Sequence, residues 1–146
     1  MGLFLYMNMT GDLFINSQDA WNVFGVNMGD GFIENILIPA GNKSYIENES
    51  RLEHGKRVLY NNAKIQDRDV TLTFNIHGNS QADYLNKYDL FVEELHKGKV
   101  IIEIPALNKK FTLSYQKSTS FALSSSRTSS KLSVKFNEPN PTLRAV

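Results

Sequence analysis

Three histidines, His54, His77 and His96, are the natural starting points for metal or acid–base chemistry, and the chain holds no cysteine to join them. Without cysteine, a disulfide scaffold, thiol catalysis, iron–sulfur clusters and thiolate-bound zinc are closed, while the redox compartment stays open. The histidines form no ligand pair, and no HExxH, GxSxG, P-loop or GxGxxG pattern occurs. His77 falls on the polar face at a strand end. His96 lies near a helix C-terminus, where a cation interacts favourably with the dipole. Gly29-Asp30-Gly31 reads as a turn, because a calcium loop needs further oxygen ligands. Glu93 and Glu94 are neighbours on a helix, whereas catalytic carboxylates face each other across a cleft. The expectation is a non-enzyme with no catalytic residue, no metal and no cofactor.

Charge and aromatic placement narrow the partners. The 146 residues carry 16 Lys and Arg against 15 Asp and Glu, a net charge of +1 that gives only a weak field for neutralising phosphates. Specific nucleic-acid recognition is therefore not expected. The charge is unevenly spread: residues 1–42 hold Asp12, Asp19, Asp30 and Glu34 with no Lys or Arg, so the excess positive charge lies beyond them. Such a split is compatible with an ordinary solvated surface or with head-to-tail complementarity in an assembly. Aromatics interleaved with basic residues could stack single-stranded nucleic acid. However, Phe74, Phe111, Tyr115 and Phe136 occupy the apolar phase of their segments and are expected in the core, and Trp21 is expected to pack against a sheet.

Among the elements that carry these residues, the clearest is a helix from about residue 81 to 97. Tyr84, Tyr88, Phe91 and Leu95 recur at helical spacing with Leu85 and Val92 widening the stripe, and Asp83, Lys87, Glu93, Glu94 and Lys97 lie largely away from it. Ser80 and Asp83 resemble a capping box, and Gly98 suits the left-handed position after the last turn. Elsewhere the period is two. Val70, Leu72, Phe74 and Ile76 alternate with polar residues in a strand. Residues 100–104 and 111–115, joined through Pro105-Ala106-Leu107-Asn108, read as a hairpin, and Leu132, Val134 and Phe136 mark a final strand. Residues 13–15 and 32–38 are shorter strand candidates. The expected fold is mainly β, an α+β single domain: a split β-barrel or sandwich-like antiparallel sheet with one flanking helix.

Four stretches lack such patterns. Residues 1–10 form an N-terminal segment whose apolar run is too short for a membrane span and lacks the basic flank of a secretory leader, so no membrane anchor is expected. Residues 41–64 are polar and charged with scattered Tyr45, Leu52, Val58 and Leu59, a connection long enough to be functional or disordered. Residues 118–130 are dominated by serine and threonine and read as a mobile surface loop. Residues 139–146 are a C-terminal tail. Three Asn-x-Ser/Thr triplets, beginning at Asn8, Asn42 and Asn48, are attributed to an Asn-rich composition.

Taken in order, these segments resemble a known class. A polar loop with Tyr45-Ile46-Glu47-Asn48 and Arg51-Leu52-Glu53-His54-Gly55-Lys56-Arg57, a strand from Arg68 to Phe74, a helix ending Leu95-His96-Lys97-Gly98, a hairpin, and a strand closing on Phe136-Asn137-Glu138-Pro139-Asn140-Pro141 look like tail proteins of bacteriophages and prophages, especially those of Bacteroides-type bacteria. The resemblance spans about residues 11–141 and rests on no single diagnostic motif. It is similar in architecture to the split barrel of phage tail tube proteins, distal tail proteins and type VI secretion tube proteins. It implies a structural subunit of the virion tail, assembled in the bacterial host cytoplasm. Such subunits form rings, commonly hexameric, that contact other tail proteins and surround a lumen through which DNA passes. The loop 41–64 would then reach a neighbouring copy through Tyr45, Arg51, Leu52, Glu53, His54, Lys56 and Arg57. The chain is too short to carry the second, carbohydrate-binding-like domain of some distal tail proteins, so host recognition is not implied. The alternative reading is a soluble β-barrel binding module for oligosaccharide or single-stranded nucleic acid, which would stay monomeric where a ring-former would not.

Overall fold

The computed structural model describes residues 9–52, 54–61 and 63–146. The expectations placed on residues 1–8 and on Glu53 lie outside the described residues. The long alternating segments form the strands they spell: β6 (Arg68–His77), β7 (Lys99–Ile104), β8 (Lys109–Leu123) and β9 (Ser129–Glu138). Short strands β1 (Phe14–Ile15), β2 (Gln18–Asp19) and β3 (Val26–Met28) complete a seven-stranded antiparallel sheet ordered β2-β1-β7-β8-β9-β6-β3. β6 and β9 pair along their whole length, from Arg68 opposite Glu138 to His77 opposite Ser129.

The sheet's two outermost strands, β2 and β3, are consecutive in sequence, joined only by the wide turn Ala20–Phe24 and Gly25. Strands at opposite ends of an open flat sheet cannot be linked by six residues, so the sheet must curl until its edges approach, giving a half-barrel. That turn starts at Asp19, whose carboxylate accepts from the N–H groups of Trp21 and Asn22. It ends at Gly25, whose φ of 65° lies in the left-handed region that favours glycine.

One helix closes the open side. α2 (Gln81–His96) begins at Ser80, whose hydroxyl accepts from the Asp83 N–H at 3.1 Å, and Gly98 at φ 95° follows its end. The reciprocal half of the capping box is shifted by one residue: Asp83 accepts from the N–H of Asn79, not Ser80. Phe91 is fully buried against Phe24 and Phe74, with ring centroids 5.8 and 5.1 Å apart. The helix stripe is narrower than its sequence suggests. Leu85 is 56% exposed, while Glu94 is buried, held by the side-chain amide of Asn16 at 2.6 Å and by Lys97 at 3.0 Å. Asn16 and Ser17 have positive φ and form the tight turn between β1 and β2, so Glu94 ties the end of the helix to that turn. Burial disfavours its charge, but the hydrogen bonds from Asn16 and Lys97 outweigh that effect and hold its carboxyl below the ordinary glutamate value.

Two segments depart from expectation. Residues 32–36 form a short helix, α1 (Phe32–Ile36), not a strand. Phe32 and Ile36, four apart, are both buried, and Phe32 meets Phe74 edge to face at 5.3 Å. The serine-rich stretch is not a loop either. β8 continues to Leu123, a turn occupies residues 124–128, and β9 resumes at Ser129. Ladder hydrogen bonds need only backbone, so a strand lacking apolar alternation forms wherever a well-specified neighbour such as β9 offers a template.

Candidate assembly surface

Residues 41–64, which read from sequence as a long polar connection without a packed element, contain one. They rise from the body as an arm: an isolated bridge between Asn42 and Ile65 at the root, then the two-stranded hairpin β4 (Ile46–Glu49) and β5 (Lys56–Leu59). Two backbone hydrogen bonds of 2.8 Å, Lys43 N–H to Lys64 and Gln66 N–H to Gly41, fasten the root. Ring contact between Tyr45 and Tyr60 at 5.3 Å braces it, as does the Tyr45 hydroxyl, which accepts from Asn42 at 2.7 Å. Further out, Lys56 and Glu47 form an ion pair of 2.7 Å across the hairpin.

These contacts sort the residues singled out from sequence. Tyr45 is at the root with intramolecular partners, Lys56 is engaged with Glu47, and Arg57 stands opposite Asn48 in the ladder. Arg51, Leu52 and His54 lie in the turn at the tip, where Leu52 is 96% exposed. A four-residue strand spans about 13 Å, so root and tip are separate surfaces and not one patch. An apolar collar surrounds the root: Leu37, Ile38, Ile46, Leu59, Tyr60 and Ile65 are each at least 40% exposed. From sequence Leu59 stands out as an apolar point in a polar stretch, whereas Leu37 and Ile38 read as the end of a strand and Ile46, Tyr60 and Ile65 carry no distinct signal. A cleft of about 390 Å³ separates the root (Lys43, Lys64, Ile65, Asp67) from the C-terminal tail (Pro139, Asn140, Thr142).

A second surface is the far half of β8. β7 pairs with β8 only from Lys109 to Ser114, and residues 115–123 have β9 on one side and no strand on the other among the described residues. An unpaired edge is a template for another strand. Apolar side chains accompany it: Phe121 and Leu123 are nearly half exposed, and Phe121 meets Tyr88 of α2 at 5.6 Å. Two irregularities in the β8–β9 register interrupt this half.

The outer sheet face is polar. Thr71, Thr73 and Asn75 lie opposite Lys135, Ser133 and Lys131, with Thr73 and Ser133 hydrogen-bonded at 2.9 Å. At its end an open groove of about 330 Å³ is lined by Asn75, His77, Leu123, Ser129 and Lys131. His77 packs on Trp21 at 5.8 Å, and burial lowers its pKa. The three histidines sit at the arm tip, the end of β6 and the end of α2. Among the described residues no three His, Cys, Asp or Glu side chains gather as a metal site would require. No helix among them is long and apolar enough to cross a membrane.

No protein-family model matches the sequence, and no curated protein matches it. Among solved structures, the fold is similar to that of the Dit (gp 19.1) protein of SPP1, described as a paradigm of the hub adsorption apparatus in phages infecting Gram-positive bacteria. The TM-score is 0.58 at 12% identity, with 89% of this chain and 50% of that chain covered. The chain thus spans about half the length of that protein, and what the two share is the curled antiparallel sheet with its one principal helix.

Proposed function

We propose that this chain is a structural subunit of a bacteriophage tail, at the hub, that joins copies of itself into a ring and contacts other tail proteins in the virion. The observation that carries the reading is the fold likeness to a phage hub protein over 89% of the chain. That neighbour favours a hub position over a tail tube. The Bacteroides-type host group rests on the sequence resemblance alone.

The surfaces supply a way to assemble. The arm and the free half of β8 are different surfaces, so a contact between them is heterologous: one copy's arm meets the next copy's body, and repetition about an axis closes a ring. Leu52 and the apolar collar provide area to bury, and the β8 edge provides backbone groups to pair. The polar outer face suits a wetted lumen through which DNA passes, and a hexamer is the ring size that the resemblance implies. Assembly takes place in the host cytoplasm. Light scattering behind size-exclusion chromatography, with negative-stain imaging of the largest species, tests this. Rings whose population rises with concentration are expected. A protein that stays monomeric at high concentration overturns the reading and leaves the binding-module alternative, whose best feature is the 330 Å³ groove.

A further inference from the structure

Both stalks of the arm converge on one side chain. Arg68, the first residue of β6, follows the outgoing stalk, and its guanidinium reaches back to the incoming one: Nη1 donates to the carbonyl of Ile38 and Nη2 to that of Ile36, each at 2.7 Å. Ile36 is the last residue of α1, so the same group satisfies a carbonyl left open at the helix end. Its Nε donates to Glu138 Oε1 at 2.5 Å.

Glu138 is fully buried and is shared. Arg144 of the C-terminal tail donates to it twice, from Nε to Oε2 at 2.9 Å and from Nη2 to Oε1 at 2.7 Å. Arg144 also lies over the Phe111 ring at 5.0 Å, and its carbonyl accepts from the Lys110 N–H at 3.0 Å, which pins the tail to β8. Arg68 sits over the same ring at 6.0 Å. The chain of contacts runs from tail to Arg144, Glu138, Arg68 and both stalks of the arm.

We infer that Arg68 is the positioning residue of the arm, with Glu138 and Arg144 holding it in the orientation that clamps the two stalks together. The physical case is geometric. Besides Arg68, the ties of the root among the described residues are the Asn42–Ile65 bridge with the two backbone hydrogen bonds that form it, the contacts of Tyr45 with Tyr60 and Asn42 inside the arm, and Asp67, which accepts from the Asn137 amide at 2.7 Å; the 390 Å³ cleft beside the root leaves room to swing. A planar fork that donates in three directions fixes an angle, whereas an ammonium group supplies charge without that geometry. This role deepens the assembly reading above and rests on it for its purpose, though not for its test.

The absence of native cysteine allows clean double labelling, so the test is the distance distribution between spin labels at Arg51→Cys and Glu93→Cys in monomeric protein by pulsed electron paramagnetic resonance. The labelled parent is expected to give one narrow distribution. Arg68→Met and Arg68→Lys are both expected to broaden it about two-fold or more, as loss of local order should. A narrow distribution in Arg68→Lys would mean that charge alone suffices and would overturn the clamp, as would an unchanged distribution in Arg68→Met. Should the Arg68 variants fail to fold, Arg144→Gln decides in the same way: broadening supports the relay from the tail, and an unchanged width overturns it. Ring formation is read separately, so a narrow, Arg68-dependent arm on a protein that never assembles refutes the proposed function and leaves the clamp standing.

Discussion

Leu52 offers the sharpest test of the assembly mechanism. At 96% exposed it makes almost no contact within the subunit, so its truncation to alanine should change subunit stability by no more than about 0.5 kcal/mol. If a neighbouring copy buries it, the same truncation removes roughly 2 kcal/mol of apolar burial from every contact, or about a 30-fold weakening of each. Leu52→Asp should be more severe, because an unpaired carboxylate would then occupy a dry site. Tyr45 is a poorer probe: with Asn42 and Tyr60 as intramolecular partners, its replacement disturbs the root of the arm before any interface is reached. Sedimentation velocity over a concentration series reads the contact, and thermal melting of the same samples reads the fold. The expected result is a shift of assembly to higher concentration for Leu52→Ala and its loss for Leu52→Asp, with melting unchanged. Added salt should alter the contact only at its charged rim. Assembly of both variants at the parent's concentration would refute the claim that the arm tip is buried by a neighbour.

Phe91→Ala should cost about 3–5 kcal/mol in chemical denaturation, since the ring is fully buried between Phe24 and Phe74; an unmoved midpoint would contradict the packing of α2. Gly25→Ala combines a left-handed backbone with a Cβ that would collide with the His77 carbonyl, so the melting temperature should fall clearly, and a neutral outcome would show that the half-barrel's closing turn can shift. Burial opposes the charge of Glu138, but hydrogen bonds from Arg144 and Arg68 prevail and hold its carboxyl below the ordinary value of 4.5. Its stabilisation is therefore present above about pH 4.5 and is lost as pH falls through the lower folded value. A melting temperature that declines on acidification through that range, and less steeply in Glu138→Gln, is expected. Equal slopes in the two proteins would remove Glu138 from the cause.

What the sequence determined by itself is what short-range periodicity controls. β6, β7, β9 and α2 were legible because each carries enough apolar residues at period 2 or 3.6 to choose its own buried face. Other features belong to the tertiary structure. The far half of β8 has no apolar rhythm and exists because β9 templates it, and α1 is too short for its Phe32–Ile36 spacing to prevail over a strand reading. The arm was legible only as a long polar stretch, and its hairpin was not, since it packs on little and its residues alternate weakly. Glu94 reads from sequence as a charge away from the apolar stripe and Arg68 only as the start of a strand, until the fold brings Asn16 and Glu138 to them across long stretches of chain. A charge's worth depends on desolvation and on partners distant in sequence, and only the closed half-barrel supplies both.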